Sequence, residues 1–399
     1  MTGPIMTGPQ SRDLGSAAPM PRRRVLLGLS AMVLRRIASV LGPMFPAVIA
    51  GRALANEVDG IHLDQPTKSA AGASKQRRGR VRRALRAGFG VQYWGQTYSA
   101  NHLAAAPHGL LIIETAKVGA SIVGNSQEVF FSPDEIRQIG HSGRRPVLGY
   151  LNLAKIEPYR NYWVAALALS APRETLGPGD APWIGPTLGP DGALARFWTP
   201  EWAAILADRV DSLMRQGLDG LFLDDVLQYY ASYAATARAS PGFAVEGGPV
   251  SSADFARAMM KLVTSVANRA RLHDSGALVF VNSGIYVGRD AGEDRPDAPL
   301  LDTFADYRSM IDGILIESVF ASGGDDTAIS VLHEEFASHG VPVLTVDFAD
   351  AANMPPSALK AKIAPRALSE GFAPYIADDA AFNRLFAPIP AIPADQDFP

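Results

Sequence analysis

Two aspartates, Asp224 and Asp225, close the short apolar run Leu221-Phe222-Leu223, which follows a Gly217-Leu218-Asp219-Gly220 turn. Glu317 closes a second run, Ile314-Leu315-Ile316. An acid at the end of a buried strand is costly unless it is paired or used. Two such acids facing one bond can cleave a glycosidic linkage. One attacks or stabilises the anomeric carbon, and the other protonates the leaving oxygen. Glu114, Asn152, Asn282 and Asp347 end other apolar runs and are candidate contacts for the same ligand, with Asp225 beside them. Flat aromatic faces accompany these groups: Tyr93, Trp94, Tyr150, Tyr159, Tyr162, Trp163, Trp183, Trp198, Tyr229 and Tyr230. Of these, Tyr93, Tyr150, Trp198 and Tyr229 are the ones expected to border a sugar.

Eight apolar runs supply the strands that must carry these residues. They are 91–94, 110–113, 147–152, 221–223, 278–282, 311–317, 341–347 and 372–377, with helical patterns between them. Ser132-Pro133-Asp134-Glu135 and Thr199-Pro200-Glu201 read as helix starts, with a capping residue, proline in the first turn and acids after it. Alternating strands and helices over about 290 residues fit a (β/α)8 TIM barrel, with a doubly wound sheet as the alternative. In a barrel the strand ends converge on one rim, where ligands bind. Asp224 and Glu317 then lie two strands apart, within reach of the ~5–9 Å that glycosidase carboxylates span. Each acid alone could equally cap a helix or join a salt bridge. Asp224, Asp225 and Glu114 could also hold a divalent ion, which leaves a metal-dependent hydrolase of another polymer as an alternative. No histidine ends a strand and no glycine-rich loop follows one, so neither a zinc site, a histidine triad nor nucleotide chemistry is expected, and no cofactor.

Charge is divided along the chain. Residues 1–88 carry 15 of the 37 Lys and Arg but only 4 of the 40 Asp and Glu, leaving the remainder at net −14. An acidic body argues against nucleic acid as a partner. Pro21-Arg22-Arg23-Arg24, an interrupted apolar segment and Ala53-Leu54-Ala55 read as an export signal over 1–55, of the twin-arginine kind. Its apolar halves fall short of the ~18 residues that span a bilayer, so no stable membrane span is expected. A start at Arg35-Arg36 is the other reading of this leader. Residues 56–88 are expected to be a basic disordered linker, 89–390 the barrel and 391–399 a tail. With no cysteine there is no disulfide and no thiolate site. These features describe an exported monomer, periplasmic or extracellular, acting on a polysaccharide.

The set of motifs resembles the endo-α-1,4-polygalactosaminidases of glycoside hydrolase family 114. The resemblance rests on Tyr150-Leu151-Asn152 with Glu157, Tyr159-Arg160 and Tyr162-Trp163, then Arg196-Phe197-Trp198 before Trp202. It continues through Gly217 to Asp225, Asn282, Glu317 and Val346-Asp347-Phe348. It implies a barrel in which Asp224 is the nucleophile or stabilising carboxylate and Glu317 the general acid/base. The implied substrate is an α-1,4-linked, partly deacetylated galactosamine polymer. The chain departs from the family pattern at Ala154-Lys155, where Gly-Glu is typical, at Leu227 and at Glu114. Lys155 brings a cation to the binding surface, where it would repel a cationic sugar. A barrel that binds polysaccharide without cutting it is the competing class.

Overall fold

Alternate residues of each long strand face opposite layers, and this two-residue period organises the molecule. The computed structural model describes residues 68–117, 128–157, 160–162, 181–187, 192–237, 248–292, 300–321 and 323–391. The leader over 1–55, residues 56–67, Tyr159, Trp163 and the tail from 392 lie outside the described residues.

In chain order the elements are α1 (Lys68–Leu85), β1 (Phe89–Gln92), α2 (Ala100–Ala105), β2 (Leu110–Ile113), α3 (Pro133–Ile139) and β3 (Val147–Asn152). Three short strands follow, β4 (Lys155–Ile156), β5 (Ile184–Thr187) and β6 (Ala193–Ala195), then α4 (Pro200–Arg215), β7 (Gly220–Asp224) and α5 (Gln228–Ala237). The chain continues with α6 (Ser252–His273), β8 (Leu278–Asn282), α7 (Val287–Asp290), α8 (Leu300–Met310) and β9 (Gly313–Glu317). It ends with α9 (Asp326–Glu335), β10 (Val343–Phe348), α10 (Pro356–Ser369) and β11 (Ala373–Ala377).

The strands β1, β2, β3, β7, β8, β9, β10 and β11 lie side by side in that order, all parallel. At the closing seam the Phe89 ring is 5.4 Å from that of Tyr375. This is the expected (β/α)8 barrel. Its first strand is 89–92 rather than 91–94, because the Tyr93 N–H leaves the sheet to donate to the Phe382 carbonyl at 2.8 Å. The small strands form a separate antiparallel sheet, β4-β6-β5.

Val91, Leu110, Ile112, Leu148, Tyr150, Phe222, Phe280, Leu315 and Val346 fill the barrel interior. Leu111, Leu151, Leu223, Val281, Ile314 and Ile316 face the helices. Capping boxes at Ser132 and Ser251 open α3 and α6, and Pro133 and Pro200 stand in the first turns of α3 and α4. Between α4 and β7, Gly217 takes φ 85°. A side chain at Gly220 would drive its Cβ to 2.0 Å from the Leu278 carbonyl oxygen. Leu223 is fully buried in the outer layer, so Leu223→Ala is expected to destabilise the fold by ~2–5 kcal/mol, read from a urea denaturation midpoint. A loss below ~1 kcal/mol would mean that this strand is not packed as described.

The basic stretch expected to be a disordered linker is, from residue 68, the helix α1. Val81 and Leu85 pack into the barrel-interior cluster beneath Phe89 and Leu110. Four of its arginines are engaged along that face. Arg77 pairs with the buried Asp312 at 2.9 Å, Arg80 pairs with Asp219, and Arg78 and Arg82 donate to the carbonyls of His339 and Gly340 at 2.9 and 2.6 Å. Repulsion between like charges is what makes a basic run unfold, and partners supplied by the barrel floor remove it.

Candidate active site

Three neighbouring strands bring three polar side chains to one point. Asp224 ends β7, Asn282 ends β8 and Glu317 ends β9, each in phase with the interior residues of its strand, Phe222, Phe280 and Leu315. The Asn282 amide nitrogen donates to Asp224 Oδ1 at 2.9 Å and to Glu317 Oε1 at 3.1 Å. The two hydrogens of a planar amide diverge by about 120°, which sets those carboxylate oxygens about 5 Å apart.

The residue after each of these three side chains has a left-handed backbone: Asp225 (φ 61°), Ser283 (φ 61°) and Ser318 (φ 57°). Such a conformation costs a non-glycine residue about 1–2 kcal/mol and persists only when its surroundings enforce it. The neighbouring strands do so here. Ser283 N–H donates to the Leu315 carbonyl at 2.8 Å, and Ser318 N–H to that of Val346 at 2.7 Å. The reversal stops each strand at its functional residue.

Asp224 is further fixed by the Asp225 N–H, which donates to Oδ1 at 2.8 Å, and by the Tyr150 hydroxyl, which donates to Oδ2 at 2.9 Å. Burial pushes its carboxyl up to about 6, the Asp225 charge adds to this, and Lys155 and Asn282 oppose it. Glu317 is pushed up to about 7, by burial first and then by the charge of Asp224. The Tyr93 ring lies 4.9 Å from that of Tyr150. Burial, then the charges of Asp224 and Glu317, hold its phenol well above the usual range, so Tyr93 is a neutral neighbour of the pair.

Asp225 turns to the other side, where its Oδ2 accepts from Asn152 Nδ2 at 2.6 Å and lies 3.0 Å from the Lys155 ammonium. Asn152 Oδ1 accepts the backbone N–H groups of Ala154 and Lys155 at 3.0 and 2.8 Å, which leads the chain into β4. Burial opposes the charge of Lys155, but Asp225 and then Asp224 outweigh it and raise its pKa.

Four expected ligand contacts are engaged by partners within the protein. Glu114 is 3% exposed, and its two oxygens accept from the Arg160 guanidinium at 3.1 and 2.8 Å, which occupies it as an ion pair. Tyr229 is a core residue, 1% exposed, whose hydroxyl donates to Asp290 Oδ2 at 2.7 Å. Asp347 lies out of phase with the interior residues Val346 and Phe348, and its Oδ1 accepts the backbone N–H groups of Phe320 and Ala321 at 3.0 and 2.7 Å. It therefore ties down the loop after β9. Trp198 is half-buried, edge-on to Phe197 and Phe255 at 5.2 and 5.1 Å, and packs on the outer core. The Asp224, Asp225 and Glu114 trio is not assembled as a metal site. Among the described residues no group of three or more His, Asp or Glu could hold a metal ion.

Sequence reasoning passed over the network behind the site. Arg160 also pairs with Glu157 at 2.7 Å and with Glu128 at 3.0 Å, and Glu128 pairs in turn with Arg209. Glu157 stands 3.5 Å from the Tyr150 hydroxyl that holds Asp224. Arg160 and Glu157 figured only as anchors of the resemblance. Glu128 and Arg209 come from distant segments with no spacing to mark them.

The model of glycoside-hydrolase family GH114 matches residues 125–386. An uncharacterized protein of Methanocaldococcus jannaschii is 24% identical over 297 residues, covering 71% of this chain and 74% of that one. Among solved structures, the glycoside hydrolase domain of PelA from Pseudomonas aeruginosa is 16% identical, with a TM-score of 0.45, over 74% of this chain and 97% of its own. Aspergillus fumigatus Ega3 in complex with galactosamine is 13% identical, with a TM-score of 0.49, over 76% of this chain and 96% of its own.

Proposed function

The chain belongs to glycoside-hydrolase family GH114, and from that premise we propose that it cuts an α-1,4-linked galactosamine-containing polysaccharide internally, with Asp224 and Glu317 as the working acids. The observation that carries this reading is the Asn282 amide, bonded to both carboxylates at 2.9 and 3.1 Å. A spacing of about 5 Å agrees with the retaining enzymes, whose acids stand ~5–5.5 Å apart, and leaves too little room for the water of an inverting enzyme, which needs ~6.5–9.5 Å.

Asp224, the more acidic of the two, attacks the anomeric carbon while Glu317 gives its proton to the leaving oxygen. The covalent intermediate removes the charge of Asp224. Because that charge helps raise Glu317, its loss lowers Glu317 and makes it the base for the incoming water. The productive form has Asp224 ionised and Glu317 protonated. The rate of reducing-end release is therefore expected to follow a bell in pH with its maximum between about 6 and about 7. A profile flat from about pH 5 to 8 would remove this assignment. The test is incubation of the purified protein with galactosaminogalactan. New reducing ends support cleavage, and binding without them favours a non-catalytic barrel.

The catalytic unit in this reading runs from α1 to residue 391 and works as a monomer. The arginine-led apolar leader supports export to the periplasm or beyond. Recovery of the protein outside the cytoplasm, trimmed near Ala55, would test that step. Among the described residues no helix is long and apolar enough to cross a membrane.

A further inference from the structure

We infer that Lys155 makes the sugar position beside Asp224 select an N-acetylated over a free amino sugar, an inference that rests on the glycosidase reading. Lys155 opens β4 and is held in the small sheet by its pairing with Leu194 of β6. Its backbone N–H is taken by Asn152, the residue that also donates to Asp225. The Lys155 ammonium lies 3.0 Å from Asp225 Oδ2, and both side chains are 12% exposed. Asn152, Lys155 and Asp225 thus form one rigid knot, and its Asp225 N–H is bonded to the Asp224 carboxylate.

Charge decides what this knot admits. Lys155 offsets Asp225, and Glu114, Glu128 and Glu157 are held in ion pairs by Arg160. Glu317 is neutral when it serves as the acid, and the charge of Asp224 is committed to the anomeric carbon. A sugar ammonium at this place meets the Lys155 ammonium and finds the neighbouring carboxylates already paired. Like charges brought together in a desolvated site repel strongly. An N-acetyl amide is uncharged, and its carbonyl oxygen can accept one of the three ammonium N–H groups, which the ion pair does not exhaust. The cation at the mouth of a barrel that is acidic overall is thus a filter on the 2-amino substituent.

The experiment compares one galactosamine polymer in two forms, fully N-acetylated and chemically de-N-acetylated. Wild type is expected to favour the acetylated form by about tenfold or more in kcat/KM. Lys155→Gln should shrink this ratio and Lys155→Glu should bring it to one or reverse it, with thermal melting used to choose folded variants. A wild-type ratio of one or less, or a ratio unmoved in Lys155→Gln, would overturn the inference. Affinity of both oligomer forms for Glu317→Gln protein gives the same ratio without turnover. Lack of cleavage by wild type would then sink the glycosidase reading, while the ratio of affinities still decides the role of Lys155.

Discussion

Asp224→Asn is expected to lower kcat/KM on the polymer by about 10⁴-fold or more without lowering the melting temperature. The amide keeps the shape of the carboxylate but cannot attack the anomeric carbon. It also removes a charge that burial and Asp225 already disfavour, so the fold loses no favourable ion. The double acceptance at Oδ1, from Asn282 and the Asp225 N–H, survives if the amide oxygen takes that position. Glu317→Gln behaves differently. It should lose about 10²–10⁴-fold on a sugar leaving group and much less of the first step when the leaving group is a good one that needs no proton. Steady-state kinetics on natural and activated substrates separate the two roles. Equal losses on both substrates in Glu317→Gln would contradict its assignment as the acid.

Arg160→Met is expected to cost about 3–5 kcal/mol of stability, measured by chemical denaturation. The guanidinium is 2% exposed and pairs with Glu114, Glu157 and Glu128, so its removal leaves buried carboxylates uncompensated. Burial pushes the Glu128 carboxyl up, but Arg160 and Arg209 more than offset this and hold it below its ordinary value. A depressed folded value means that Glu128 stabilises the wild type above the ordinary glutamate range. That share is lost as pH falls through the depressed value. Partial recovery in Arg160→Met combined with Glu114→Gln and Glu157→Gln would show that the cost is one of unpaired charge. An Arg160→Met protein as stable as wild type would contradict the network.

Much of the barrel was legible because each strand is a short apolar run bounded by turn residues and ended by a polar one. The phase of those runs was not. Strands of this barrel are buried on both faces, so Val343-Leu344-Thr345-Val346-Asp347-Phe348 shows no alternation from which to learn that Val346 and Phe348 point inward. Asp347 looked equivalent to Glu317 and belongs to the other face. Asp224, Asn282 and Glu317 could be grouped as strand ends, yet the shared amide that joins them depends on three left-handed residues whose φ the sequence does not display. The helix α1 was hidden for a related reason. Arg77, Arg78, Arg80 and Arg82 are satisfied by Asp312, His339, Asp219 and Gly340, all more than a hundred residues away, so charge density outweighs the apolar pair Val81 and Leu85 in the sequence. The partners of Tyr229 and Glu114, Asp290 and Arg160, are not legible either, because an aromatic or an acid near a strand end says nothing of what lies behind it.

Mass spectrometry of Glu317→Gln protein quenched during turnover of an activated α-galactosaminide oligomer identifies the attacking carboxylate. A glycosyl mass is expected on the peptide that contains Asp224, accumulating because the second step lacks its base. Turnover with unlabelled protein, or a label on any other residue, would contradict that expectation.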